Sequence, residues 1–109
     1  MPNGASTLGM VFYELATNAV KYGALAGPGG HLDVSWRIVS ASPSHHVALV
    51  WTESGGRTAP KDVASGFGIN FIKRSIEYEM QGNAGLEPGP GGVRWTLEFP
   101  VPQNLPSGR

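Results

Sequence analysis

Apolar residues recur near the start of the chain at Leu8, Phe12, Leu15, Ala19 and Tyr22, the three-and-four spacing of one helix face. The pattern predicts a helix from Thr7 to about Leu25, capped by Ser6 or Thr7 and closing near Gly23. "AGPGG" (26–30) forbids its continuation. "HLDVSWRIV" (31–39) alternates in part and is rich in β-formers, so it reads as a strand. "SASPS" (40–44) is a turn, and "HHVALVWTE" (45–53) is a second strand that completes a hairpin. "SGGRTAPKDVASG" (54–66) has no apolar periodicity and is expected to be a mobile loop. Ile69, Ile72, Ile76 and Met80 return to helical spacing, predicting a helix from Phe67 to Gln81. Two short strands follow, "AGLEP" (84–88) and "VRWTLEFPV" (93–101), joined by "GPGG" (89–92).

The order helix, strand, strand, loop, helix, strand, strand predicts an α+β fold. It is a two-layer α/β sandwich with helices on one face of a mixed, mostly antiparallel sheet. One domain is expected over residues 1–109, with its core over about 7–101 and a disordered tail at 102–109. Neither an internal repeat nor an interdomain linker is visible.

Composition narrows the function classes. With 40% hydrophobic and 15% charged residues in 109, the chain is globular and able to bury a modest core. Eight basic and eight acidic residues cancel, which argues against a nucleic-acid surface. The absence of cysteine excludes disulfides and thiolate metal sites. No apolar run approaches the roughly 20 residues of a membrane span, and no signal-peptide pattern opens the chain. A cytoplasmic domain is expected.

The first helix carries a polar stripe. At 100° per residue Glu14, Asn18 and Lys21 fall within about 60° of one another, beside the apolar face. Such a stripe can be an ordinary solvated face. It can also be the wall of a site, because a carboxylate, a neutral amide oxygen and an ammonium together suit a metal–phosphate complex. Asn18 can give Mg²⁺ one oxygen without adding charge, Lys21 can meet phosphate oxygens, and Glu14 can orient water or accept a proton. Asparagine is a mediocre helix former, a small cost that a ligand role explains.

The glycine segments add two more candidates. "WTESGG" (51–56) ends a strand in Glu53, an acceptor-only group able to receive an amino group, followed by Gly55 and Gly56, which let backbone approach a flat ring. An ordinary strand exit would look the same. "SGFG" (65–68) opens the second helix, where free backbone N–H groups can face phosphate.

Taken in order, "YELATNAVKYGAL" (13–25), "WTESGGR" (51–57), "GFGINFIKRSIEYEM" (66–80) and "GGVRWTLEFP" (91–100) resemble the ATP-binding (catalytic) domain of sensor histidine kinases, the GHKL or Bergerat fold. The resemblance is nearest to the HWE subgroup, whose N-box reads HELATNAxKYGAL and whose first glycine box reads WxExGGP. It spans about Leu8 to Pro100. It implies a bacterial two-component kinase domain using ATP and Mg²⁺. Asn18 would coordinate the metal, Glu14 would assist phosphoryl transfer and Lys21 would meet the phosphates, with Tyr22 along the nucleotide wall. Glu53 would bind the adenine amino group, with Gly55 and Gly56 beneath the ring. Residues 56–65 would form a short ATP lid, and Gly66, Phe67 and Gly68 would approach the triphosphate. The implied partners are a dimerisation domain bearing the phosphoacceptor histidine and a response regulator receiver domain.

Three departures stand out. Tyr13 occupies the position of the subgroup's histidine, and Arg57 that of the proline after the glycine pair. The chain is also expected to be N-terminally truncated, without the family's preceding strand and helix. An exposed sheet edge would follow, and with it homodimerisation. A degenerate docking module for a response regulator or partner kinase is the competing reading. A gyrase-like or chaperone-like ATPase is disfavoured by the short lid and the "WTESGG" form. His31, His45 and His46 read as structural or solvent-facing, Trp36, Trp51 and Trp95 as packed on the sheet, and Lys73 with Glu77 as an exposed helix pair.

Overall fold

The computed structural model describes residues 4–21, 23–41, 44–55, 67–89 and 92–101. Helix α1 (Gly4–Lys21) leads into the hairpin β1 (His31–Ala41) and β2 (Ser44–Ser54). Helix α2 (Phe67–Arg74) runs on into a π-helical turn, Ser75–Glu79, and the chain closes with β3 (Asn83–Gly89) and β4 (Gly92–Pro100). The four strands are ordered β1-β2-β4-β3 and all three pairings are antiparallel. The architecture is α+β, as the element order predicts. No helix among the described residues is long and apolar enough to cross a membrane.

The sheet has a dry face and a wet face because strand side chains alternate. Leu49 and Trp51 on β2 stand opposite Leu97 and Trp95 on β4, and all four are buried; Arg94, Thr96 and Glu98 point to water. Val11, Leu15 and Ala19 of α1 close the dry face together with Ile72, Ile76 and Met80 of the second helical segment. Each fully buried aliphatic side chain contributes about 1.5–3 kcal/mol. Trp51 and Trp95 therefore pack on the sheet as expected. Trp36 does not. It stands on the same face, opposite Leu49, but the helices stop short of it and leave it 67% exposed.

Both helices differ from the periodicity at their ends. The first begins at Gly4, so Ser6 and Thr7 lie inside it rather than capping it; the buried Thr7 hydroxyl donates to Glu79 Oε1 at 3.1 Å. It ends at Lys21, and its last carbonyls are satisfied from the turn. Gly23 N–H donates to Asn18 and Ala19, and Leu25 N–H to Ala19. The second helix widens after Arg74, where Met80 N–H reaches five residues back to the Ser75 carbonyl. It stops at Gln81, whose φ is 61°. The change of winding falls between Lys73 and Glu77, and among the described residues no ion pair joins them.

Candidate functional site

Two helices bring three of the candidate residues together. Glu14 and Asn18, one turn apart on α1, are half-buried, and Gly68, the second residue of α2, is buried against them. A Cβ at position 68 would meet the Glu14 carboxylate and the Asn18 amide, with Glu14 Cδ at 3.1 Å. Glycine is thus what lets the start of α2 seat on the stripe. Neither the Glu14 carboxylate nor the Asn18 side-chain amide has a hydrogen-bond partner among the described residues. Both remain available to a ligand. Lys21 is exposed at the end of α1, on the same stripe. A groove of about 550 Å³ runs beside the stripe, lined by Ser6, Gly9, Met10, Tyr13, Glu14 and Phe71.

Glu53 is built differently. It is 5% exposed. Its Oε1 accepts the Ala24 N–H at 3.0 Å and its Oε2 accepts the Trp51 indole N–H at 2.9 Å. Trp51 and Glu53 share a face because they are two apart on β2. Ala24 arrives from the turn after α1. Two glycines make room: a Cβ on Gly23 would strike Glu53 Oε1, and one on Gly92 would strike the Glu53 backbone carbonyl. Gly55 adopts φ 72°, a left-handed conformation natural to glycine, against the Gly29 carbonyl. Each carboxylate oxygen of Glu53 keeps a second lone pair beyond the bond it accepts.

Tyr22, Gly56 and Gly66, with Arg57 and the lid, lie outside the described residues, and of Phe67 only the backbone, opening α2, is described. The motif reading missed the partners of Glu53. The W-x-E spacing signals the Trp51 bond, since it sets both side chains on one strand face. Nothing local signals Ala24, whose N–H comes from 29 residues away.

The chemistry available is that of oxygen donors beside a close-packed helix start. Among the described residues no cluster of three His, Asp or Glu side chains could hold a metal unaided. One amide oxygen suits an ion that brings most of its ligands with it, as Mg²⁺ does when bound to phosphates.

No family model matches the chain. It is 31% identical over 94 residues to the blue-light-activated histidine kinase of Brucella ovis, an alignment covering 86% of this chain and 19% of that protein. The chain thus spans about a fifth of the length of the curated relatives it matches. Among solved structures, the histidine kinase domain of the blue-light activated histidine kinase from Erythrobacter litoralis EL346 superposes with a TM-score of 0.70 at 16% identity, over 90% of this chain and 45% of that one. A nucleotide-free catalytic domain of histidine kinase ThkA gives a TM-score of 0.59 at 20% identity, over 86% of this chain and 66% of that one. These likenesses show the fold.

Proposed function

We propose that this chain, similar in sequence to a blue-light-activated histidine kinase and in fold to histidine kinase catalytic domains, binds Mg·ATP and delivers the γ-phosphate to a histidine on a dimerisation domain outside this sequence. It would thereby serve as the ATP-binding part of a two-component sensor kinase, with a response regulator receiver domain as the next acceptor. The observation that carries this reading is the unpartnered Glu14–Asn18 pair held against Gly68. A solvated helix face has no need of a glycine pressed onto it.

Phosphoryl transfer requires positioning and charge neutralisation more than covalent help from the protein. The Asn18 amide oxygen offers one neutral ligand, and bound Mg²⁺ would supply charge neutralisation at the phosphate oxygens. Lys21 adds a mobile positive charge one turn further on. Glu14 is placed to orient the incoming imidazole or take its proton. At the other end, the remaining lone pairs of Glu53 would accept the adenine amino group, with Gly55 and Gly56 keeping the backbone beneath the ring and Tyr22 along the wall. Gly66, Phe67 and Gly68 would bring backbone N–H groups to the triphosphate.

The second reading is a degenerate docking module for a response regulator or partner kinase. It is favoured by Tyr13, 70% exposed beside Met10 in the groove that reaches Glu14. Calorimetric titration with a non-hydrolysable ATP analogue, with and without Mg²⁺, separates the two. The kinase reading expects magnesium-dependent binding, followed by phosphohistidine formation on an added dimerisation fragment and none on this chain alone. A folded chain that binds no nucleotide favours the docking module.

A further inference from the structure

Two tryptophans stand opposite each other in the core, Trp51 on β2 and Trp95 on β4, both buried on the dry face of the sheet. Packing asks only for apolar bulk at either position. Trp51 does something further with its indole. Its N–H donates to Glu53 Oε2 at 2.9 Å, whereas Trp95 makes no hydrogen bond to Glu53.

A glutamate carboxyl group on its own turns readily about its last bond, because that torsion is broad and two-fold. Glu53 is held against such turning at both oxygens. Ala24 N–H holds Oε1 at 3.0 Å from the turn after α1, and Trp51 holds Oε2 from β2 itself. Two donors on two oxygens fix the plane of the carboxylate. They fix as well the directions of the lone pairs that neither donor uses, about two of the four a carboxylate carries. The two donors differ in kind. The one at Ala24 is a backbone N–H, present whatever the side chain. The one at Trp51 depends on the residue type, since phenylalanine would fill the core without bringing a donor.

We infer that Trp51 is the positioning residue for base recognition: its indole N–H sets the Glu53 carboxylate so that the remaining lone pairs meet an exocyclic amino group. The inference rests on the nucleotide reading above and adds the residue that makes Glu53 selective. A buried acceptor-only group disfavours a base edge with no donor, because it loses water there without gaining a partner. A carboxylate fixed at both oxygens is unable to turn aside and lessen that cost. A purine with hydrogen in place of the amino group is therefore disfavoured by the native chain. Once the indole N–H is gone, the carboxylate turns, and the amino group loses its advantage. Selectivity belongs to the Trp51–Glu53 pair rather than to Glu53 alone.

Calorimetric titration of the chain in Mg²⁺ with two non-hydrolysable triphosphate analogues tests this, one of adenosine and one of purine riboside, which lacks the amino group. The native chain should favour the adenosine analogue by at least about tenfold. In Trp51→Phe the preference should fall to about threefold or less, through weaker binding of the adenosine analogue. Trp95→Phe shrinks the same core and should keep the native preference. A purely structural defect weakens both ligands together and leaves their ratio unmoved. A second readout needs no variant. In NMR spectra of the native chain, the Trp51 indole N–H signal should shift with the adenosine analogue and clearly less with the purine riboside analogue, because only the first shares the carboxylate with it. A folded native chain that binds neither analogue overturns the nucleotide reading, and this inference with it. One that binds both equally well retains nucleotide binding and overturns the inference alone. So does an undiminished preference in Trp51→Phe, or an indole signal that answers both analogues alike.

Discussion

The Glu53 end of the candidate site and its Glu14–Asn18 end both present side-chain oxygens, but in opposite states. Glu53 is buried and each of its oxygens already accepts a hydrogen bond, from Ala24 and from Trp51. Glu14 and Asn18 are half-buried with no hydrogen bond to their side-chain tips among the described residues. The first end belongs to the framework and can serve a ligand only with what the framework leaves over. The second end contributes little to the framework and is free to serve a ligand fully. Position in the fold, more than residue type, separates a group tied into the framework from one left available to a ligand.

The contrast breaks most visibly at Glu53. Glu53→Ala strands two buried donors, each costing about 1–3 kcal/mol when unpaired, so a loss of about 2–6 kcal/mol is expected in urea unfolding. Against a total of about 5–15 kcal/mol for a typical domain, that approaches unfolding. Glu53→Gln keeps one acceptor oxygen and should lose clearly less. Gly68→Ala comes next. Its Cβ must displace Glu14 and Asn18, costing about 1–3 kcal/mol in stability and weakening the analogue's binding in the same titration. Asn18→Ala sharpens the contrast from the other side. Stability should stay within about 0.5 kcal/mol, while affinity for the Mg²⁺ complex falls by at least about tenfold, or about 1.4 kcal/mol. Lys21→Ala should have the smallest effect, a few-fold loss of affinity that shrinks as salt is raised. If Asn18→Ala and Glu53→Ala proved equally destabilising, the two ends would not differ as described.

Much of this was legible in the sequence. Strand alternation and turn residues place β1 from His31, β2 within one residue at each end, and both closing strands within one residue. The stripe Glu14–Asn18 and the glycine opening α2 could be marked from spacing and helix chemistry, and the structure sets them side by side. The rest failed where a long-range contact decides. The α1 start at Gly4 includes Thr7, whose hydrogen bond reaches Glu79, far along the chain. The hydrogen bonding of Glu53 depends on Ala24, which no local pattern links to it. The π turn was half-legible. Ile72, Ile76 and Met80 are spaced by four, and over that span a regular α-helix rotates about 80° away from the core. A wider turn keeps all three inward, and all three are buried.

The Ala24–Glu53 hydrogen bond also sets a clock. Amides in connecting turns ordinarily exchange with solvent through small local openings, with little regard for the stability of the whole. Ala24 is fully buried, and its acceptor is a buried carboxylate on β2, one of the two inner strands. Water reaches this proton only when the end of β2 parts from the turn that follows α1, against a core that both elements share. Hydrogen–deuterium exchange at Ala24 should therefore proceed at the pace of global unfolding, while the exposed turn residue Gly27, three positions on, exchanges freely. A connecting turn, the kind of segment that usually loosens first, would be among the last parts of this protein to let go.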